Sequence, residues 1–326
     1  MKIYTNNIPE KYLCSMLLYV DAGSDKDGDE KGIAHVTEHM LVAFDKQRSP
    51  DSRCRYEVSA HTSYAYMVFV VRYDKRCVKE KEVSDLLSHI ASGTSIRWKT
   101  LEECREDVIE EIRTRQSGQK EVLRIIGEPE LLQHLPLGEP DSVSSLNEHK
   151  MKRYLEEVFF PASKLWISVI PGGRYHYDIC VKKETGNFRF MDTENRKERL
   201  LDYIYKDILY LMFEDKTFGG NSPVRLWNVM DKSYLICEKG QSEEILFEQL
   251  NSRRRFLKYL YYLRYKYIFA GNFNISNMNQ ILIEAAGSHT AVYQMKDLRR
   301  VLYGTGSLKL YKWYLDYLDG LHIRYI

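Results

Sequence analysis

His35, Glu38 and His39 lie within one short stretch, Gly32-Ile33-Ala34-His35-Val36-Thr37-Glu38-His39-Met40-Leu41. On a helix, residues three and four apart share a face, with neighbouring Cβ atoms roughly 5–6 Å apart. Two neutral imidazoles so placed can reach one Zn2+, and a carboxylate between them lies beside any water that the metal holds. The order His-x-x-Glu-His inverts the more familiar His-Glu-x-x-His of zinc proteases. Taken alone, the pentapeptide fits two chance histidines on a helix face as well as it fits a metal site. A zinc hydrolase needs a third protein ligand and a vertex left open for water.

The stretch from Leu101 to Ile112 offers that ligand. Leu101, Cys104, Val108 and Ile112 recur at helical spacing and mark an inward stripe. Glu111 falls at the edge of the stripe, whereas Glu110 aligns with Glu103 and Glu106 on a charged face. An inward carboxylate is costly unless it is paired or binds metal, so Glu111 is the expected third ligand. Cys104 is read as core packing, because about 10 Å of helix rise separates it from Glu111. His61, His89, His134, His149, His176, His289 and His322 stand in no ligand spacing and are read as surface or satisfied histidines.

The elements that must position these groups are legible in outline. Tyr12 to Val20 reads as a strand closed by a turn at Asp21-Ala22-Gly23-Ser24, and a charged loop then leads into the histidine helix. Val58 to Tyr73 is β-rich, Lys79 to Ile90 and Leu101 to Ile126 are helical, and Pro129 to Pro140 reads as a loop or a broken turn. Leu146 to Phe159 is helical, and Leu165 to Ile170 is a strand ending at Pro171-Gly172-Gly173. Polar Thr185 to Arg199 is the linker. Beyond it come a helix (Leu200 to Phe213), a turn (Phe218 to Pro223), a helix (Phe256 to Tyr265) and strand-like Tyr267 to Ala270. This mixed order implies an α+β fold of sheet packed with helices.

At 326 residues the chain exceeds the usual size of one hydrophobic core, so two domains are expected, 1–185 with the metal helix and a shorter, metal-free 186–326. Hydrophobic content of 44% with 29% charged residues is ordinary for a globular protein. A net charge of +2 gives no argument for nucleic acid or a membrane surface, and Arg253-Arg254-Arg255 reads as a solvated face. Met1 to Tyr4 is followed by polar residues, not an apolar signal core, so a cytoplasmic protein is expected. Six unpaired-looking cysteines read as free thiols, and the 25 tyrosines as half-buried packing; no basic groove accompanies them for base stacking.

From about Tyr12 to Ile170, and more weakly to Tyr234, the chain resembles the pitrilysin/insulinase family of inverzincin metallopeptidases, of the mitochondrial processing peptidase type. Ala22-Gly23-Ser24, the block Gly32 to Leu41, the strand Ser59-Ala60-His61-Thr62-Ser63 and the helix Val108-Ile109-Glu110-Glu111-Ile112 carry the likeness. The resemblance implies one Zn2+ per chain on His35, His39 and Glu111, with Glu38 as general base. It makes Ser59, Ala60, His61 and Thr62 the edge strand on which a peptide substrate adds. Cys104 stands where the family often has a second glutamate, and Ser59 where it often has asparagine.

Family sites are completed by an Arg and a Tyr from a metal-free domain. Phe218 to Leu226 resembles the turn-helix of such domains, but Asp231 occupies the approximate place of the arginine and Tyr234 comes too early. The expectation is a zinc-dependent endopeptidase acting on small or unstructured peptides, such as a leader or precursor peptide. It would be one subunit of a chamber-forming dimer, identical or mixed. The rival reading is a catalytically weakened metal-bearing subunit that docks a partner or binds peptide.

Overall fold

A computed structural model describes residues 8–46, 56–127, 129–173, 176–183, 196–214, 224–229, 232–237, 243–269, 275–287 and 294–325. It divides into two compact units, Met1–Arg189 with Ile275–Ile283, and Phe190–Asn274 with Glu284–Ile326.

The first unit is built on strands β1 (Leu13–Val20), β2 (Tyr56–Thr62), β3 (Met67–Asp74), β4 (Lys164–Gly173) and β5 (His176–Lys183). They form one antiparallel sheet in the order β2-β3-β1-β4-β5. Every residue of β1 is buried, which is why it reads as a continuous apolar run instead of an alternating one. Each fully buried Leu, Val or Met of this strand contributes about 1.5–3 kcal/mol.

Cys14, Met16, Leu18 and Val20 face helices α1 (Ile33–Lys46), α2 (Glu80–Ala91) and α3 (Leu101–Ile126) across a common core. On the opposite face, Ser15 Oγ donates to Asn279 Oδ1 at 2.6 Å. Asn279 belongs to α10 (Ile275–Gly287), whose first backbone N–H also donates to Glu10.

Local chemistry moves several boundaries. β2 and β3 are two strands of a hairpin, where the sequence reads as one β-rich stretch. The stretch from Pro129 to Pro140, expected as a loop or broken turn, holds one short helix, α4 (Pro129–Gln133), and a second, α5 (Pro140–Ser144), starts at its end. Each begins at a proline, which loses nothing at a first helical position. α6 (Glu148–Tyr154) runs into a π-helical turn over Leu155–Phe159. β4 continues through Pro171-Gly172-Gly173 by way of a register shift and pairs with β5, a strand that sequence reasoning did not find.

The second unit contains α7 (Arg196–Glu214), β6 (Val224–Val229), β7 (Lys232–Cys237), α8 (Glu243–Leu250), α9 (Arg253–Phe269), α11 (Met295–Gly304), α12 (Ser307–Asp319) and β8 (His322–Tyr325). Its sheet runs β6-β7-β8, with β8 parallel to β7. Rings fill its core: Tyr205 stacks near Tyr314 at 5.6 Å between centroids, and Phe256 near Tyr314 at 4.8 Å.

Val224-Arg225-Leu226, expected in a turn-helix, is instead the start of β6, as its β-favouring Val, Leu, Trp and Val dictate. Tyr267 to Phe269, expected as a strand, prolongs α9, because an established helix propagates through residues of modest propensity. Not every tyrosine is half-buried packing, since Tyr261, Tyr262 and Tyr265 on α9 are 58%, 55% and 61% exposed. Phe218 to Pro223, Asp231 and most of the expected linker lie outside the described residues. The architecture is α+β, as the mixed order of elements implies.

Candidate metal centre and its surroundings

The site starts with the entry into α1. Asp27 is buried, and its carboxylate accepts the backbone N–H of Gly32 at 2.7 Å and of Ala34 at 3.1 Å. Those donors would otherwise be orphaned at the helix start, so Asp27 fixes where α1 begins. Burial pushes its carboxyl up to about 7, against the pull of the two N–H groups.

The segment from His134 to Glu139 packs against this start. Ser24 Oγ donates to the His134 carbonyl at 2.6 Å, and Glu139 N–H to the Lys31 carbonyl at 3.4 Å. Gly138 has φ +82°, and a Cβ there would sit 2.4 Å from Gly32 Cα, so both chains must be glycine where they cross. The same segment presents the Leu137 carbonyl to His35 Nδ1 at 3.4 Å. A carbonyl can only accept, so Nδ1 carries the proton and Nε2 is left with its lone pair.

That lone pair faces α3. His35 Nε2 lies 3.9 Å from Glu111 Oε2, and His39 Nε2 lies 3.9 Å from Glu111 Oε1. The two rings stand edge to face with centroids 4.8 Å apart. One ligand atom from each of the three residues falls within 4.8 Å of the others. Donors held about 2.0–2.2 Å from a tetrahedral zinc lie roughly 3.3–3.6 Å apart, so shifts of roughly an ångström would close the cage. Two imidazoles and a carboxylate are also the donor chemistry that zinc takes. Burial lowers the pKa of His35, which favours the neutral form that a metal needs, although Glu111 pulls the other way.

Glu110 is exposed while Glu111 is half-buried, as their offset from the Cys104, Val108, Ile112 stripe requires. Cys104 itself is buried in the apolar core with Val108 and Ile112.

Glu38 is buried beside the imidazoles. Its Oε2 accepts from Thr62 Oγ1 at 2.7 Å, and burial pushes its carboxyl up to about 7 despite that bond. Thr62 ends β2, which pairs only with β3 among the described residues and so forms a sheet edge. Ser59 and His61 project exposed side chains from this strand, Ala60 packs partly against the core, and Thr62 is buried against Glu38. Although its surface is open to solvent, crowding of the His61 ring by neighbouring protein, then the charge of Arg115, lowers its pKa. Sequence reasoning brought no role to Asp27, to the Leu137 carbonyl or to the Thr62 hydroxyl. An acid five residues ahead of Gly32 is the one signal it could have used.

Residues 2–126 match the family described as Insulinase (Peptidase family M16). Over those residues the chain is similar to insulinase-family peptidases. The chain is also 24% identical over 177 residues to the chloroplastic stromal processing peptidase of Oryza sativa subsp. indica, covering 49% of this chain and 14% of that protein. The chain thus spans a small part of the curated relatives it matches.

Among solved structures, the putative M16-like peptidase from Alicyclobacillus acidocaldarius is similar with a TM-score of 0.60 at 10% identity, over 98% of this chain and 94% of that one. The periplasmic protease PqqL from Escherichia coli is similar with a TM-score of 0.56 at 13% identity, over 97% of this chain and 45% of that one. At such identities these likenesses show the fold. Among the described residues, no helix is long and apolar enough to cross a membrane.

Proposed function

We propose that this chain is a zinc-dependent endopeptidase acting on small or unstructured peptides, with a leader or precursor peptide as the fitting substrate class. The observation that carries the reading is the meeting of His35, His39 and Glu111 within 4.8 Å, beside a buried carboxylate. His35, His39 and Glu111 would hold one Zn2+. Bound there, zinc would lower the pKa of water toward about 7 and polarise the scissile carbonyl.

The chain's own residues do the rest. Glu38, held by Thr62 and raised toward neutrality by burial, takes a proton from water and returns it to the departing amine nitrogen. The edge of β2, unpaired among the described residues, offers backbone groups to an extended peptide, with Ser59 and His61 as exposed side chains along it. Asp231 at the approximate place of the family's arginine, and Tyr234 too early for its tyrosine, support a second subunit, identical or related, that closes the chamber and supplies those groups.

Cys104 favours the rival reading of a weakened, partner-docking subunit, since it puts a buried thiol where relatives often carry an acid. One assay separates the two. Cleavage of short unstructured peptides that stops with chelator and in Glu38→Gln supports the peptidase. Cleavage indifferent to both ends the zinc reading, and absence of cleavage by the zinc-loaded chain, alone and with a related subunit, leaves the docking subunit.

A further inference from the structure

Arg115 lies one helical turn beyond Glu111 on α3, and its Nη1 is 3.2 Å from Glu111 Oε2. The pair is lopsided, because the arginine side chain is 67% exposed and the glutamate 33%. An exposed i,i+4 pair contributes only about 0.3–0.5 kcal/mol, so holding α3 together is a minor outcome of placing a cation there. A guanidinium carries five N–H donors in a fork, and one contact to Glu111 leaves the fork able to take a second carboxylate.

The other arginine nearby is turned to a different task, since Arg113 Nη1 pairs with Glu110 at 3.8 Å on the outer face of the helix. Arg115 instead faces the cluster. Its charge acts on His35 in the cluster and on His61, whose exposed side chain projects from the edge strand β2.

The arrangement therefore puts an exposed cation on the cluster's own carboxylate, 3.2 Å from Glu111 Oε2, with its charge felt at His61 on the sheet-edge strand β2. We propose that Arg115 is a specificity-determining residue that selects peptides with an acidic side chain close to the bond to be cut. The inference rests on the peptidase reading for the words "bond to be cut", but charge selection itself can be read from binding alone.

The test uses the full chain carrying Glu38→Gln and loaded with zinc, with metal content checked in every variant. Unstructured fluorescent peptides identical but for Glu, Gln or Lys at one scanned position are titrated by anisotropy. At one position the Glu peptide should bind about three- to tenfold more tightly than its Gln twin, with the advantage shrinking in high salt. Arg115→Lys should keep part of that preference, Arg115→Gln should remove it, and Arg115→Glu should pass it to the Lys peptide.

Equal binding of the Glu and Gln peptides at every position when Arg115 is intact overturns the proposal. So does a preference that survives Arg115→Glu with zinc retained. A uniform loss of binding to all peptides together with loss of zinc would also overturn it, by making Arg115 an orienter of Glu111 only. Because the assay runs without the base, its failure is distinct from a failure to see hydrolysis.

Discussion

The two units bury different kinds of chemistry. Ser24, Asp27, His35, Thr37, Glu38, Thr62 and the other buried polar or charged residues among those described all belong to the first unit, Asn279 included. The described interior of the second unit is aliphatic and aromatic, with Tyr205, Phe256 and Tyr314 among its largest buried side chains. Burying a polar group costs free energy unless it is satisfied, whereas burying a ring is favourable by itself. The first unit keeps a carboxylate and an imidazole below a tenth exposed, whereas the described interior of the second unit is packed with rings.

Substitutions can break or sharpen that contrast. Glu38→Gln in the first unit should carry the largest effect, a fall in peptide hydrolysis of about 10²–10⁴-fold or more with zinc content unchanged. Stopped assays with metal analysis read both quantities at once.

Asp27 comes next. Burial holds its pKa at about 7 in the folded chain, against about 3.9 when unfolded. The folded state therefore binds the extra proton, so this contribution is fully present below about pH 4 and is lost as pH rises toward 7. The loss is on the order of 4 kcal/mol, and Asp27→Asn should flatten that part of the decline. Urea midpoints of both chains at pH 4.5 and 7.5 compare the slopes, and identical slopes would remove Asp27 from the account.

Gly138→Ala should cost about 1–3 kcal/mol, read by thermal unfolding, because its Cβ would meet Gly32 Cα at 2.4 Å. It should also weaken zinc binding, by moving the carbonyl that orients His35. The smallest effect belongs to the second unit. Tyr205→Phe removes only a hydroxyl that donates to the Leu310 carbonyl at 3.0 Å, costing about 1 kcal/mol and leaving cleavage and zinc unchanged.

The clustering of His35, His39 and Glu111 was more legible in the sequence than the contacts that support it. Helical spacing alone separates Glu111 from Glu110 and brings His35, Glu38 and His39 to one face, because a 3.6-residue period acts within a few turns. Strand β1 and helix α3 are equally plain, since a fully apolar run and a sustained stripe have few competing readings.

What the sequence hides is contact across long separations. Nothing local says that the Leu137 carbonyl meets His35, that Ser24 ties to His134, or that Asn279 packs on β1. β6 was misread because the likeness to a turn-helix outweighed the strand preference of Val224, Leu226, Trp227 and Val229. The prolines at 129 and 140, expected within a loop or broken turn, each start a short helix.

Zinc titration of the purified full chain, read by metal analysis after dialysis, tests the central claim most directly. The account predicts one zinc per chain, lost in His35→Ala, His39→Ala and Glu111→Ala and retained in Glu110→Ala and Glu38→Gln. Zinc that stays bound without Glu111, or that leaves with Glu110, would contradict it.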